Sequence, residues 1–257
     1  MQCNIHKYVS LRINQMQCNI HSQEKSGIPS VGKSCIVTGA SSGLGRELAI
    51  LMSNHGHVIL SGRNTEELQR TREQCKNPAN TTIVSGDLSN IETSLRLVSF
   101  TDLYETPYLI YCAGEYLSGP IDQLSPTKTQ RLVNSNLTGM MILVTRIYRT
   151  MKRNRHGTIV HINSTAGKRI DKNEPVYCAT KHAAAAFISS LRMEAQHFNV
   201  RVMDVLLGAM QTPMMEHRDD HKNLISPQEA AKLIITNLVD CSTLQLEELH
   251  IGRFKFA

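Results

Sequence analysis

The sequence predicts an α/β fold, in which a doubly wound parallel sheet carries helices on both faces within a single domain. Three observations predict it. Short apolar segments of strand length alternate along the chain with longer segments of helical character. A glycine-rich turn at residues 38–45 joins the first of these strands to the first helix. The chain has 257 residues, which is enough to bury one sizeable core.

Seven apolar or β-branched runs are predicted as strands of the sheet. The first is an unbroken apolar run that leads directly into the glycine-rich turn, as expected of a strand buried on both faces. In chain order the predicted strands cover residues 34–37, 57–60, 81–85, 108–112, 158–163, 201–206 and 246–251.

Helices are predicted between these strands, and two of them carry clear start signals. Asn64 with Glu67 three residues later is typical of a helix N-terminus. Ser226 precedes Pro227, and proline is favoured at the first helical position. The predicted helices cover residues 44–54, 65–76, a segment from about 90, and then 128–153, 175–198 and 227–238.

Residues 1–32 are predicted to form a loosely ordered leader ahead of a domain at residues 33–257. The hexapeptide Met1-Gln2-Cys3-Asn4-Ile5-His6 recurs at residues 16–21. Two copies are too few for a repeat architecture. Their Cys and His residues lack the further ligands that a metal site needs, so no metal is expected. Met16 is an alternative start.

Composition and charge exclude several functional classes. No segment approaches the roughly 20 continuous apolar residues of a membrane span, and no secretory signal is expected. The 7 cysteines form no Cys-x-x-Cys pair, which favours reduced thiols and a cytoplasmic location. The formal net charge of +6 is dispersed, apart from a basic cluster at residues 152–156 predicted to close a helix. Nucleic-acid binding is therefore not expected.

Tyr177 and Lys181 are the candidate catalytic pair. They stand at positions i and i+4 of a predicted helix, which places both side chains on one face. A nearby ammonium favours the phenolate, so the pKa of Tyr177 is expected to fall below its ordinary value. Such a phenol can act as a general acid or base toward an alcohol or carbonyl oxygen. The alternative is a surface Tyr and Lys without function, because this spacing alone is common.

The turn at residues 38–45 is a candidate phosphate site. Gly39, Gly43 and Gly45 stand where a strand ends and a helix begins, so backbone N–H groups and the helix N-terminus can approach an anion closely. A glycine turn can also be a mere connection. Its position between a strand and a helix favours the binding of a phosphorylated cofactor.

Five motifs in chain order resemble those of the short-chain dehydrogenase/reductase family, over residues 33 to about 251. The motifs are the turn at residues 38–45, Asp87, Asn136, Ser164 and the pair Tyr177/Lys181. The resemblance implies a Rossmann-like fold and an NAD(P)-dependent oxidoreductase. It also implies a set of cofactor contacts: Gly39, Ser41, Ser42, Gly43, Leu44, Gly45, Arg63, Asp87, Leu88, Ala113, Gly114, Tyr177, Lys181 and Thr212.

The same resemblance implies a role for each member of a catalytic tetrad. Tyr177 would exchange a proton with the substrate oxygen, and Ser164 would hydrogen-bond that oxygen. Lys181 would bind the nicotinamide ribose and lower the pKa of Tyr177. Asn136 would hold a water that links Lys181 to solvent. The substrate is expected to be a carbonyl compound or alcohol, and an acyl-carrier ketone, a sugar, a steroid-like ketone and a small aldehyde all stay open.

Two departures from the family pattern concern groups that move no proton. Tyr111-Cys112 stands where the family has Asn-Asn, and Leu207-Gly208 stands where it has Pro-Gly. At the end of the second strand, Arg63 stands in place of an acid. An acid there would favour NAD, whereas a guanidinium suits the extra phosphate of NADP. NADP is therefore the predicted cofactor. NAD is the less favoured alternative, and if NAD is the cofactor, Arg63 is only a loop residue.

Several questions stay open at the level of sequence. Residues 213–225 correspond to the family's substrate lid, where Met214 and Met215 line an adaptable pocket or simply belong to the core. The substrate is not identified. A non-catalytic, NADP-binding regulator of the same fold is the rival hypothesis. A homodimer or homotetramer is also expected, formed through the helix that carries the four alanines at residues 183–186.

Overall fold

The computed structural model describes residues 33–103, 105–239 and 245–253. Over these ranges the predicted parallel sheet is confirmed, with seven strands separated by helices. The predicted leader, residues 1–32, lies outside the described residues. The strands are β1 Lys33–Thr38, β2 His57–Gly62, β3 Thr81–Ser85, β4 Glu105–Tyr111, β5 Gly157–Ser164, β6 Val200–Leu207 and β7 Glu248–Ile251.

The strands lie in the order β3-β2-β1-β4-β5-β6-β7, and every neighbouring pair is parallel. The order reverses between β1 and β4, because the chain leaves β1 for one side of the sheet and later returns to the other. Ligands of such sheets bind at the carboxyl ends of the strands beside this reversal. This edge is where the candidate site lies.

Seven helices connect and cover the strands of the described chain. Helices on both faces satisfy the requirement that parallel strands be buried on each side. The helices are α1 Gly43–Met52, α2 Thr65–Gln74, α3 Ile91–Leu103, α4 Pro126–Val133, α5 Gly139–Asn154, α6 Pro175–Ala195 and α7 Pro227–Val239.

The predicted helix starts are confirmed at α2 and α7. The Asn64 side chain accepts a hydrogen bond of 3.1 Å from the backbone N–H of Glu67. Ser226 accepts one of 3.3 Å from the N–H of Glu229. Both contacts satisfy an N–H group that a helix start leaves without an intrahelical partner.

The long helix predicted at residues 128–153 is present, but it is not α-helical throughout. Two α-helices, α4 and α5, are joined there by a π-helical turn at Asn134–Thr138. Periodicity does not reveal such a turn, because the apolar pattern continues through it. Gly139 follows the turn, and a Cβ on it would lie 2.5 Å from the carbonyl oxygen of Leu88. The missing side chain therefore lets the start of α5 pack against the segment after β3.

Two apolar clusters bury the sheet, one on each face. One contains Val37, Val160 and Val205 with residues of α1 and α7. The other contains Ile36, Ile159 and Val202 with residues of α5 and α6. Residues next to each other on a strand fall in different clusters, as the two-residue period of a strand requires. No described helix has the length and apolar character needed to cross a membrane. Within the same residues, no three His, Cys, Asp or Glu side chains are grouped so that they could hold a metal ion.

Candidate active site

The glycine-rich turn fits closely against the rest of the site. Gly39 has a φ of 68°, and a Cβ on it would lie 2.9 Å from the backbone nitrogen of Ala113. Gly43 has a φ of 51°, and its Cβ would lie 2.8 Å from Cγ2 of Thr212. At Gly45 a Cβ would lie 2.2 Å from the carbonyl oxygen of Gly39. Side chains at these positions would fill or distort the turn, so each glycine is required by geometry.

Hydrogen bonds fix the turn from both sides. The Thr38 hydroxyl accepts hydrogen bonds of 3.1 Å from the N–H groups of Cys112 and Ala113. These bonds tie the end of β1 to the end of β4. Thr71 on α2 donates to the carbonyl oxygen of Ala40 at 2.9 Å. The turn is thus held rigid before any ligand binds, which lowers the entropy that binding must cost.

A cleft of about 710 Å³ runs along the carboxyl edge of the sheet from this turn. Its size is sufficient for a dinucleotide, since pockets for drug-sized ligands measure roughly 300–1,000 Å³. Every residue predicted to contact the cofactor lies on its wall: Gly39, Ser41, Ser42, Gly43, Leu44, Gly45, Arg63, Asp87, Leu88, Ala113, Gly114, Tyr177, Lys181 and Thr212. The close turn, the N-terminus of α1 and the cleft together fit a phosphate-containing cofactor.

Two arginines converge on one carboxylate at the end of the cleft near β2. Arg63 forms an ion pair with Glu115, and Arg131 on α4 contacts the same oxygen at 2.9 Å. All three residues line the cleft. Burial opposes ionisation of nearby Asp87, but hydrogen bonds from Ser89 and the charges of Arg63 and Arg131 hold its pKa below its usual value. The sequence analysis missed Glu115 and Arg131, although Glu115 directly follows the Ala-Gly segment.

Tyr177, Ser164 and Lys181 come together where α6 crosses the end of β5. Tyr177 and Lys181 are both buried, and the Lys181 Nζ lies 5.7 Å from the centroid of the Tyr177 ring. Ser164 is hydrogen-bonded to Tyr177 and also accepts a hydrogen bond of 3.1 Å from the Ala166 N–H. The predicted proximity of the phenol, the hydroxyl and the ammonium is therefore present.

The predicted lowering of the Tyr177 pKa was wrong for the protein without cofactor. Burial raises the pKa of Tyr177 to about 12, against the hydrogen bond from Ser164, and Glu174 raises it further. Burial also lowers the pKa of Lys181, although the charge of Asp204 opposes this shift. The i and i+4 spacing predicted the contact correctly. It did not reveal that burial desolvates both groups, which favours the neutral form of each.

Asn136 occupies the π-helical turn and is 2% exposed. Its side chain forms two hydrogen bonds with the backbone of Glu115, accepting from the N–H at 2.7 Å and donating to the carbonyl oxygen at 2.8 Å. A Cβ added to Gly114 would lie 3.5 Å from Asn136 Oδ1 and 3.9 Å from Lys181 Nζ. Gly114 therefore lies close to both Asn136 and Lys181, and Asn136 braces the loop after β4.

A second cavity of about 330 Å³ adjoins the cleft at Tyr177. Met214 and Met215, in a helical turn after Thr212, line it as the sequence suggested. Tyr116 lies on the wall of both cavities and packs edge-on against Tyr177, with ring centroids 5.1 Å apart. Its hydroxyl donates to Glu174 at 2.5 Å. Tyr116 was missed in the sequence, where nothing marked it except its position after Gly114.

The family departures are absorbed by local packing. Tyr111 is 1% exposed, and its hydroxyl lies 3.4 Å from the carbonyl oxygen of Ser135 in the π-helical turn. Cys112 joins the wall of the cleft. Gly208 hydrogen-bonds the carbonyl oxygen of Ile251 through its N–H at 3.0 Å, which connects β6 to β7. Neither change removes a polar group from the cluster around Tyr177.

The sequence model of one protein family matches residues 33–223, and that family is described as short chain dehydrogenase. The matched residues include the glycine turn and the whole cluster around Tyr177. The chain belongs to the short-chain dehydrogenase family. The prediction of an NAD(P)-dependent dehydrogenase or reductase is thereby confirmed.

This short-chain dehydrogenase is similar to curated proteins of bacteria. An uncharacterised oxidoreductase of Staphylococcus epidermidis is 29% identical over 224 residues, which cover 85% of this chain and 96% of that protein. A sepiapterin reductase of Chlorobaculum tepidum is 26% identical over 229 residues, covering 83% and 93%. The matches extend over nearly the full length of both relatives.

Solved structures share the fold of this short-chain dehydrogenase. An actinorhodin polyketide ketoreductase with NADPH has a TM-score of 0.78 at 22% identity, covering 86% of this chain and 96% of that one. ElxO with NADP bound has a TM-score of 0.77 at 21% identity, covering 86% and 97%. These likenesses concern the fold.

Proposed function

We propose that the chain is an NADP(H)-dependent oxidoreductase that interconverts a carbonyl group and a secondary alcohol, with Tyr177 as general acid and base. One observation carries the proposal. The Tyr177 phenol lies where the cofactor cleft meets the second cavity, bonded to Ser164 and beside the Lys181 ammonium. A proton donor at this junction can serve a substrate in one cavity while the cofactor lies in the other.

Each polar group then has a task set by its place. The bound nicotinamide supplies or accepts the hydride. Ser164 donates a hydrogen bond to the substrate oxygen and so orients the carbonyl toward the cleft. Tyr177 gives its proton to that oxygen as negative charge develops there. Lys181 stabilises the resulting phenolate, and Asn136 lies beside Lys181 on the route by which the proton is replaced.

The state of Tyr177 favours the direction of reduction. A buried phenol with a pKa of about 12 holds its proton at neutral pH. Protonated tyrosine is the form that reduction of a carbonyl consumes, whereas alcohol oxidation needs the phenolate. We therefore assign carbonyl reduction as the direction that the protein without cofactor is prepared for.

The preference for NADP rests on the arginines at the end of the cleft. Arg63 and Arg131 place two guanidinium groups on the wall of the cleft, beside the carboxylates of Glu115 and Asp87. A guanidinium suits a phosphate, which it can bind with two parallel hydrogen bonds. Structures of similar fold contain NADPH or NADP, which agrees with this choice.

The second cavity is proposed as the substrate site. Met210, Met214 and Met215 give it an apolar and adaptable wall, and Tyr116 lies where it meets the cleft. Arg169 and Arg218 stand on its wall together with Asp171. A carbonyl compound with an apolar body and a polar outer end fits this combination.

We further infer that the chain forms a homodimer or homotetramer through α5 and α6. Ala184 and Ala185 are buried against the sheet, whereas Ala183 and Ala186 are exposed on the other side of α6. Met193, on the same helix, is 73% exposed. Small exposed side chains allow a second helix to approach closely, and a two-fold contact would cover this face.

The substitution Tyr177→Phe tests the catalytic proposal. The oxidation of NADPH by a panel of ketones and aldehydes should fall at least about a hundredfold, because general acid catalysis contributes roughly 10²–10⁴-fold. The NADPH dissociation constant should stay nearly the same. Tyr148→Phe is the matched control, since it removes a buried phenol bonded to Glu194 and remote from both cavities.

Two results would count against the proposal. A Tyr177→Phe enzyme that keeps most of its turnover would remove Tyr177 from the mechanism. A wild-type protein that binds NADPH but oxidises it with no carbonyl compound would favour a non-catalytic binding protein.

A further inference from the structure

A row of polar side chains lies inside the sheet, beneath the candidate catalytic groups. Tyr111 on β4, His161 on β5 and Asp204 on β6 are paired in register across the three strands. His161 and Asp204 are each 1% exposed, and the rings of Tyr111 and His161 are 6.2 Å apart. Burying a carboxylate in an apolar sheet is costly unless other groups compensate its charge. The family mechanism described above assigns no task to Asp204.

Both oxygens of the Asp204 carboxylate have partners. His161 Nδ1 lies 2.8 Å from Oδ1, and Asn163 Nδ2 donates to Oδ2 at 2.9 Å. Although burial opposes ionisation, these hydrogen bonds and the charge of Lys181 hold the pKa of Asp204 below its ordinary value. Burial lowers the pKa of His161, so its ring is neutral and Nδ1–H donates. Asp204 is thus a fixed negative charge.

Asn163 connects this charge to two members of the catalytic cluster. Its Oδ1 accepts a hydrogen bond of 2.9 Å from the Ser164 N–H, and its Nδ2 lies 3.4 Å from the carbonyl oxygen of Lys181. Gly167 leaves room for this amide, since a Cβ there would lie 3.0 Å from Asn163 Nδ2. One buried amide therefore spans β5, β6 and α6, and fixes the backbone at both Ser164 and Lys181.

Four groups from different parts of the fold lie within electrostatic reach of the Lys181 ammonium. Tyr177 stands on the same helix, Cys112 follows β4, His161 stands on β5 and Asp204 on β6. Of these, Asp204 is the group that is ionised and negative at neutral pH. Its charge opposes the effect of burial on the pKa of Lys181.

We propose that Asp204 is a positioning residue of the active site, which holds Ser164 and Lys181 in place through Asn163 and supplies the buried negative charge opposite the Lys181 ammonium. The proposal rests on the proposed function, because it assumes that Ser164 and Lys181 act on substrate and cofactor. It extends the site to Asp204, which lines neither the cleft nor the second cavity.

The charge is tested with Asp204→Asn, which keeps the shape of the side chain. The NADPH dissociation constant is measured from neutral to alkaline pH by fluorescence titration. Both variants compared carry Tyr177→Phe, so that the phenol cannot titrate. Without Asp204, Lys181 should lose its proton at a lower pH. As Lys181 loses its proton, NADPH affinity should fall by about tenfold to a hundredfold, because an ammonium hydrogen bond is lost. This fall should begin at a lower pH in Asp204→Asn than with Asp204 present.

The connection through the amide is tested with Asn163→Ala, which leaves the pair of His161 and Asp204 intact. For the carbonyl compound that the wild type reduces fastest, kcat should fall about tenfold or more, while the NADPH dissociation constant changes less than about threefold. Thr101→Val is the control for lost stability, since its hydroxyl is buried between α3 and α5.

The outcomes separate this proposal from the proposed function. The inference is overturned if Asp204→Asn leaves the pH dependence of NADPH binding unchanged and Asn163→Ala leaves kcat unchanged. If Asp204→Asn shows no cooperative unfolding transition, only Asn163→Ala tests the inference. An unchanged kcat in Asn163→Ala then overturns it. A wild type that reduces no carbonyl compound, while the pH shift of NADPH binding is present, defeats the proposed function only.

Discussion

Glu115 should act as an internal competitor of the cofactor phosphate, so Glu115→Gln is expected to tighten the binding of NADPH. In the free protein the carboxylate is paired with both Arg63 and Arg131. A phosphate that enters between these arginines must replace at least one of the ion pairs. The glutamine keeps the size of the side chain and a hydrogen-bond acceptor, but it removes the competing charge.

The expected gain is modest because the three groups are partly exposed. The Arg63 and Arg131 side chains are 51% and 61% exposed, and that of Glu115 is 20% exposed. An exposed ion pair changes an equilibrium constant by about twofold to fivefold, and two pairs share one oxygen here. Glu115→Gln should therefore bind NADPH about twofold to tenfold more tightly, with no gain for NADH. Arg63→Ala should weaken NADPH binding by about tenfold.

The assay is a fluorescence titration of each variant with NADPH and with NADH at low and at high salt. Glu248→Gln is the matched control: its carboxylate also contacts two basic side chains, Lys168 and His250, and the substitution changes the charge of the side chain equally. High salt should reduce the gain of Glu115→Gln, since ions screen exposed charges. Equal gains for NADPH and NADH, or an equal gain in Glu248→Gln, would refute the assignment of Arg63 and Arg131 to the phosphate.

Two further predictions concern stability and assembly. Because the folded pKa of Tyr177 is about 12 against about 10 in the unfolded chain, its contribution to stability is complete below pH 10 and is lost as the pH rises toward 12. Over this interval the free energy of unfolding, measured in urea, should thus fall more for the wild type than for Tyr177→Phe. An equal fall in both would contradict the buried neutral phenol. Ala183→Glu or Ala186→Glu should dissociate the oligomer in light scattering without lowering the melting temperature much, whereas a wild type that is monomeric at micromolar concentration excludes the interface.

The sequence predicted the sheet because strands and turns depend on local patterns, whereas the residues expected on the cleft wall followed from the family resemblance. Strand-length apolar runs, the glycines of the turn and the start signals at Asn64 and Ser226 act over a few residues, and the structure has them where expected. The contact of Tyr177 with Lys181 follows from helical spacing alone. These features need no knowledge of which strands become neighbours.

What the sequence did not predict depends on contacts between distant segments. Glu115 meets Arg131 only through the folding of the loop after β4 against α4, and apolar periodicity carries no sign of that contact. The pKa of Tyr177 depends on how many atoms surround the phenol, which spacing cannot reveal. Asp204 was visible as an acidic residue within a mostly apolar strand. Its partner His161 became clear only once β5 and β6 were found to be adjacent.

The π-helical turn at Asn134–Thr138 contains one residue more than a regular helix would need in the same place. Removing a single residue there would let α4 and α5 merge into one uninterrupted rod with a complete ladder of backbone hydrogen bonds. Such a deletion would also rotate everything on one side of it by about 100°, the angle between successive residues of an α-helix. Asn136 would then turn away from the loop after β4. At Asn134–Thr138 the protein therefore keeps a π-helical turn where its chain could form regular α-helix, and the geometry of the site depends on that turn.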